Sequence, residues 1–172
     1  MGTSNCEATY PEPRPPAPYG KQNVTDSLFF EDGYKECVGY LTEGRYLVFE
    51  KSGYALTNTG NATRLSSTAA REDHSDKRQR WVVYYSSGEE SHIFKLSSAL
   101  DGKWLGPRGS LLPASRRNAA AEVKITFRGN GHGYDLQYVN STIIALDDQG
   151  ALQMNATKGA GDGYKVWSVT YH

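Results

Sequence analysis

A short strand pattern recurs three times along this chain, as Trp81-Val-Val83, Ile125-Thr-Phe127 and Trp167-Ser-Val169. The steps are 44 residues from Trp81 to Ile125 and 42 from Ile125 to Trp167. A period of that length marks a supersecondary unit that cannot bury its own apolar face, so the fold has to be assembled from three similar units.

Alternation and enrichment in β-branched and aromatic residues place four strands in each unit. Unit one reads 35–41, 45–49, 54–57 and 80–85; unit two reads 91–97, 103–105, 110–112 and 122–128; unit three reads 133–139, 142–146, 151–154 and 165–171. Gly44-Arg-Tyr-Leu47 aligns with Gly102-Lys-Trp-Leu105, and Lys51-Ser-Gly-Tyr-Ala-Leu56 with Pro107-Arg-Gly-Ser-Leu-Leu112. On this alignment unit one carries a surplus at 68–79, expected to be an exposed, mobile insertion. Twelve strands in three units of about 42 residues resemble the β-trefoil, in which three hairpins cap a six-stranded barrel. The resemblance covers 33–172, and the expected fold class is all-β. Trp81 and Trp167 are expected in its core.

Residues 1–32 differ from the rest. Tyr10-Pro-Glu-Pro-Arg-Pro-Pro-Ala-Pro-Tyr19 holds five prolines in ten residues, which favours an extended spacer. Nineteen basic and nineteen acidic side chains give no net charge, so nucleic acid is not an expected partner. No apolar run reaches the 18 residues or so that a transmembrane helix needs.

Four sequons, at Asn23, Asn61, Asn140 and Asn155, take up half of the eight asparagines and point to a secreted glycoprotein. Cys6 and Cys37 are the only cysteines, and in an oxidising compartment one bridge is expected. Closing its loop of about 31 residues is worth roughly 3–4 kcal/mol in the chain-entropy model. Two cysteines and four scattered histidines offer no metal-ligand spacing, so no metal or cofactor is expected.

No catalytic constellation emerges. Asp73-His74-Ser75-Asp76 has the residue types of a triad, but neighbours in sequence cannot take its geometry. Asp147-Asp148 reads as a turn, and Arg128-Gly-Asn-Gly-His-Gly133 as a hairpin between units two and three. Binding is the better expectation. A carbohydrate site pairs an aromatic face with hydroxyl-binding polar groups. Asp101, Lys103 and Trp104 at the unit-two hairpin, with Tyr134 nearby, fit that description. Gln79-Arg-Trp81 is similar to the Gln-x-Trp motif of ricin-type lectin trefoils, whereas units two and three carry Val123-Lys-Ile125 and Lys165-Val-Trp167.

Asp32-Gly-Tyr-Lys35, the run from Gly39 to Glu50, Arg78-Gln-Arg-Trp-Val82 and Ser97-Ser-Ala-Leu-Asp-Gly-Lys-Trp-Leu-Gly106 resemble the C-terminal region of secreted fungal phospholipase C-type phosphoesterases. That resemblance implies an accessory, non-catalytic module that follows a catalytic domain and holds it near glycans, cell wall or lipid; the ligand expected on the binding reading is a glycan or glycoconjugate. Two other readings compete. One is a trefoil protease inhibitor presenting Arg71, Lys77, Arg78 or Arg116-Arg117; the other is a purely structural domain.

Overall fold

The computed structural model describes residues 34–71, 75–86, 92–129, 131–139, 143–146, 149–156 and 163–169. They form an all-β structure, one antiparallel sheet of thirteen strands with three single-turn 3-10 segments. The strands are β1 (Tyr34–Glu36), β2 (Tyr46–Lys51), β3 (Tyr54–Thr57), β4 (Ser66–Ala69) and β5 (Trp81–Tyr85). They continue as β6 (Ile93–Ser98), β7 (Trp104–Leu105), β8 (Leu111–Leu112), β9 (Val123–Phe127), β10 (Tyr134–Tyr138), β11 (Ile143–Leu146), β12 (Leu152–Ala156) and β13 (Lys165–Val169).

One pairing scheme is used three times. β2 pairs with β3 and β5, and β3 pairs with β4. β6 pairs with β7 and β9, and β7 with β8. β10 pairs with β11, β11 with β12, and a lone bridge from Tyr134 to Tyr164 ties β10 to the residue entering β13. The groups join through β5–β6, β9–β10 and β13–β2.

The register repeats residue by residue. Leu47 faces Trp81, Phe94 faces Val123, and Tyr134 faces Tyr164. Between groups, Val83 faces Leu96, Ile125 faces Leu136, and Val166 faces Phe49. All twelve belong to the main buried core. Side chains alternate between faces of a strand, so a repeat that keeps these partners keeps every apolar residue on the inner face.

This register corrects the expected phase of unit one. The strand equivalent to β6 and β10 is β2, not the predicted 35–41 segment; only Tyr34–Glu36 of that region is a strand, and it pairs with β13 outside the repeat. The surplus at 68–79 disappears with the correction. Part of it is β4, and Lys77–Gln79 is a 3-10 turn with Gln79 buried. Ten residues separate β8 from β9 and eleven separate β4 from β5, so unit one carries no extra segment there. The Gly-rich stretch before Tyr134 does join β9 to β10, with Arg128 N–H donating to Gly133 O at 2.8 Å.

Two local features make the turns possible. Between β2 and β3, Ser52 and Gly53 both have positive φ (56° and 83°), the requirement of a two-residue hairpin that follows strand twist. Around the Tyr134–Tyr164 bridge, glycines at 133 and 163 let two backbones approach closely. A Cβ on Gly163 would collide with the Tyr134 carbonyl, and one on Gly133 with that of Tyr164.

Candidate functional site

The β6–β7 turn brings Asp101 and Lys103 together, and both are anchored to the loop between β3 and β4. Asp101 Oδ1 accepts from Asn58 Nδ2 at 2.9 Å and from Lys103 N at 3.0 Å. Lys103 Nζ donates to Ala62 O at 3.1 Å and lies 3.9 Å from Asp101 Oδ2. Asn58 is fully buried and also donates to Ser98 Oγ at 2.9 Å. The result is an exposed carboxylate and an ammonium held beside each other on a braced turn.

The two aromatic residues expected to stack on a ligand here are placed otherwise. Trp104 is 6% exposed; its Nε1 donates to Ala114 O at 2.9 Å, its ring packs against Tyr84, and the Arg117 guanidinium lies over both rings. Tyr134 is 1% exposed in the core, and its hydroxyl donates to Gly39 O at 2.6 Å. Burial holds the Tyr134 phenol well above its ordinary pKa. Neither ring offers a face to a ligand, because the inner-face register at Tyr134 and the Tyr84 ring beside Trp104 consume them. The Asp101–Lys103 pair is what remains of the predicted constellation.

Gln79-Arg-Trp81 is a structural motif in this fold. The Gln79 amide donates to Thr68 Oγ1 and Ala69 O, both at 2.8 Å, while its oxygen accepts from Arg71 N at 3.2 Å. Trp81 is in the core as expected, with Nε1 donating to Leu56 O at 3.0 Å. Asp76 serves as a cap: its carboxylate accepts from Arg78 N at 2.9 Å and grips the Arg78 guanidinium at 2.8 Å. The Arg78 hydrogen bond outweighs burial and holds the Asp76 carboxyl below the usual value. Residues 72–74 and 147–148 lie outside the described residues.

Trp167 departs from the expected core position. Val166 faces Phe49 on the inside, so Trp167, one residue on, points to the outer face. There it is partly exposed against a small second cluster of Val48, Ala55 and Val169. Its Nε1 donates to Glu50 Oε1 at 2.9 Å, and Lys165 Nζ lies over its ring, 5.9 Å from the centroid. The repeat in the sequence aligns Trp167 with Trp81, whereas the inner-face equivalent of Trp81 is Tyr164. Both phases of this strand, Tyr164 with Val166 and Trp167 with Val169, carry two apolar residues, so it is the pairing of Val166 with Phe49 that decides which faces inward.

Of the sequons, Asn61 is exposed on the loop between β3 and β4, and Asn155 lies on β12; Asn23 and Asn140 lie outside the described residues. Cys37 is buried at the core edge, and Cys6 lies outside the described residues. Among the described residues no group of three His, Cys, Asp or Glu could hold a metal ion, and no helix is long and apolar enough to cross a membrane. No protein-family model matches this chain, and no curated protein matches it in sequence.

Proposed function

We propose that this chain is a secreted, non-catalytic carbohydrate-binding module of β-trefoil architecture. The fold reading is supported by the pairing scheme. β2, β5, β6, β9, β10 and β13 form a ring once the Tyr134–Tyr164 bridge is counted, and each group adds the same hairpin. Six tilted strands with a filled interior and three hairpins are the trefoil arrangement. The phosphoesterase-like motifs assign it as an accessory domain of such an enzyme. A Cys6–Cys37 bridge and N-linked glycans at the four sequons belong to the same secreted reading.

The observation that carries carbohydrate binding is the Asp101–Lys103 pair. Vicinal hydroxyls need an acceptor and a donor held side by side, and side chains already ordered in the free protein lose little entropy on binding. Asn58 and the Ala62 carbonyl supply that order. A glycan array tests the reading. Wild-type protein is expected to bind a defined set of glycans, and Lys103→Gln, which leaves the Asp101–Asn58 contact intact, is expected to weaken that binding about tenfold, the loss of one charged hydrogen bond. A wild-type protein that binds nothing across a broad array overturns the proposal.

A further inference from the structure

The loop between β3 and β4 carries the sequon Asn61-Ala-Thr63 and also braces the Asp101–Lys103 turn. Lys103 Nζ donates to the carbonyls of Gly60 at 3.4 Å and Ala62 at 3.1 Å, the residues on either side of Asn61. Bond lengths put the Asn61 Cα within about 3 Å of the Gly60 oxygen, and so within about 6–7 Å of the ammonium. The nitrogen that accepts a glycan is one short side chain further on. The first sugar is therefore joined in the immediate neighbourhood of the pair.

Both flanks of the sequon are tied down. Upstream, Asn58 is fully buried; its Nδ2 donates to Ser98 Oγ and Asp101 Oδ1, and its Oδ1 accepts from Gly60 N at 3.0 Å. Downstream, the Thr63 carbonyl accepts from Leu111 N at 2.8 Å, and Leu65 N donates to Gly109 O at 2.6 Å. Arg64 Nη2 donates to Arg108 O at 2.8 Å. These bonds cross from unit one to unit two and hold the sequon and the turn in a fixed relation. Asn61 and Thr63 are both exposed, as transfer of a glycan to a sequon requires.

We propose that an N-linked glycan on Asn61 competes in cis for the Asp101–Lys103 site, so that occupancy of this sequon sets the affinity for free glycan; the inference rests on the carbohydrate reading above. Attachment joins Asn61 Nδ2 to the anomeric carbon of a lipid-diphosphate-linked oligosaccharide. The bond from that carbon to the diphosphate oxygen breaks, the lipid diphosphate leaves, and the amide loses one proton. The hydroxyls of the attached sugars offer the same donors and acceptors that Asp101 and Lys103 would pair with in a free ligand. A sugar on so short a tether is present at millimolar effective concentration, which competes with free glycan without sealing the site.

The test uses protein secreted from a glycosylating yeast, with occupancy of Asn61 read by mass spectrometry of its glycopeptide. Asn61 is expected to be occupied. Thr63→Ala, which removes the sequon and keeps Asn61, is expected to bind array glycans about five- to tenfold more tightly than the glycosylated wild type. Asn61→Gln is expected to match it, which separates loss of the glycan from any effect on the loop. Adding Lys103→Gln to Thr63→Ala is expected to abolish the gain, and Thr157→Ala, which removes the Asn155 sequon, to produce none. An unoccupied Asn61, a gain absent from either Asn61-sequon variant, or an equal gain in Thr157→Ala overturns the inference and leaves the carbohydrate reading standing. If neither the wild type nor Thr63→Ala binds any glycan, both fall.

Discussion

The inner and outer faces of the sheet use tryptophan in opposite ways. Trp81 on the inner face is 1% exposed, locked by its indole hydrogen bond to Leu56 O, and part of the core cluster to which all three groups contribute. Trp167 on the outer face rests on three small aliphatic residues, and its indole hydrogen bond goes to a surface carboxylate. The difference comes from parity along the strand. One residue of offset moves a side chain from the most constrained environment in the molecule to one of the least.

Truncating each tryptophan should separate the faces most widely. Trp81→Ala removes a fully buried ring and leaves the Leu56 carbonyl without its donor, for a loss of about 3–5 kcal/mol in unfolding free energy. Trp167→Ala removes a partly solvated ring and should cost roughly 1–2 kcal/mol. Urea unfolding of the two variants measures the gap. Equal losses would mean that the outer cluster is as integral to folding as the core.

The inner tyrosines extend the contrast to pH. Burial raises the phenols of Tyr164 and Tyr134 far above their ordinary value near 10, and that of Tyr138 to about 12. For an acid whose folded pKa is raised, the unfolded chain loses its proton first. Stability is then constant below pH 10 and falls as pH rises above it, by up to about 1.4 kcal/mol per pH unit for each of the three. Unfolding free energies from neutral pH to about pH 11 should show this decline. A flat profile would mean that the tyrosines are solvated in the folded state.

Tyr138 and Tyr164 also differ from each other. The Tyr138 hydroxyl accepts from Gly109 N at 2.8 Å and donates to Gly106 O at 2.9 Å, so it pins both sides of the turn at Pro107–Gly109. The Tyr164 hydroxyl is buried with no hydrogen-bond partner among the described residues. Tyr138→Phe should therefore cost about 1–3 kcal/mol, while Tyr164→Phe should be neutral or slightly stabilising, since it removes only an unpaired polar atom. Thermal melts of the pair decide the matter; a comparable loss for Tyr164→Phe would show that its hydroxyl is hydrogen-bonded to water.

How much of this could be read from the chain depended on which contacts were local. Alternation located counterparts of all twelve expected strands, because each inner-face pair such as Val83 or Ile125 with its neighbour two residues away is a local signal. The Ser66–Ala69 strand was silent, having no apolar alternation of its own and pairing only with β3. The phase of unit one was misread because Gly44-Arg-Tyr-Leu47 and Gly102-Lys-Trp-Leu105 look alike in sequence but enter different strands of the repeat. The two aromatic members of the expected site lie elsewhere than a ligand would need for a related reason. Trp104 is covered by Tyr84 and Arg117, and Tyr134 is held by Gly39, contacts that no local pattern announces.

The smallest expected effect concerns the turn before β5, where Asp76 both caps the 3-10 segment and pairs with Arg78. Asp76→Asn keeps a good capping residue and removes only the charge, so the neutral-pH loss should be no more than about 1 kcal/mol. The folded pKa of Asp76 lies below its unfolded value of 3.8, chiefly through the Arg78 hydrogen bond. Its contribution is therefore fully present above that value and fades as pH falls through the lower folded one. The difference between wild type and Asp76→Asn should close on acidification to about pH 2.5, read from urea midpoints at the two pH values. A difference that survives in acid would assign the stability to the geometry of the cap, and the charge on this outer turn would then contribute nothing.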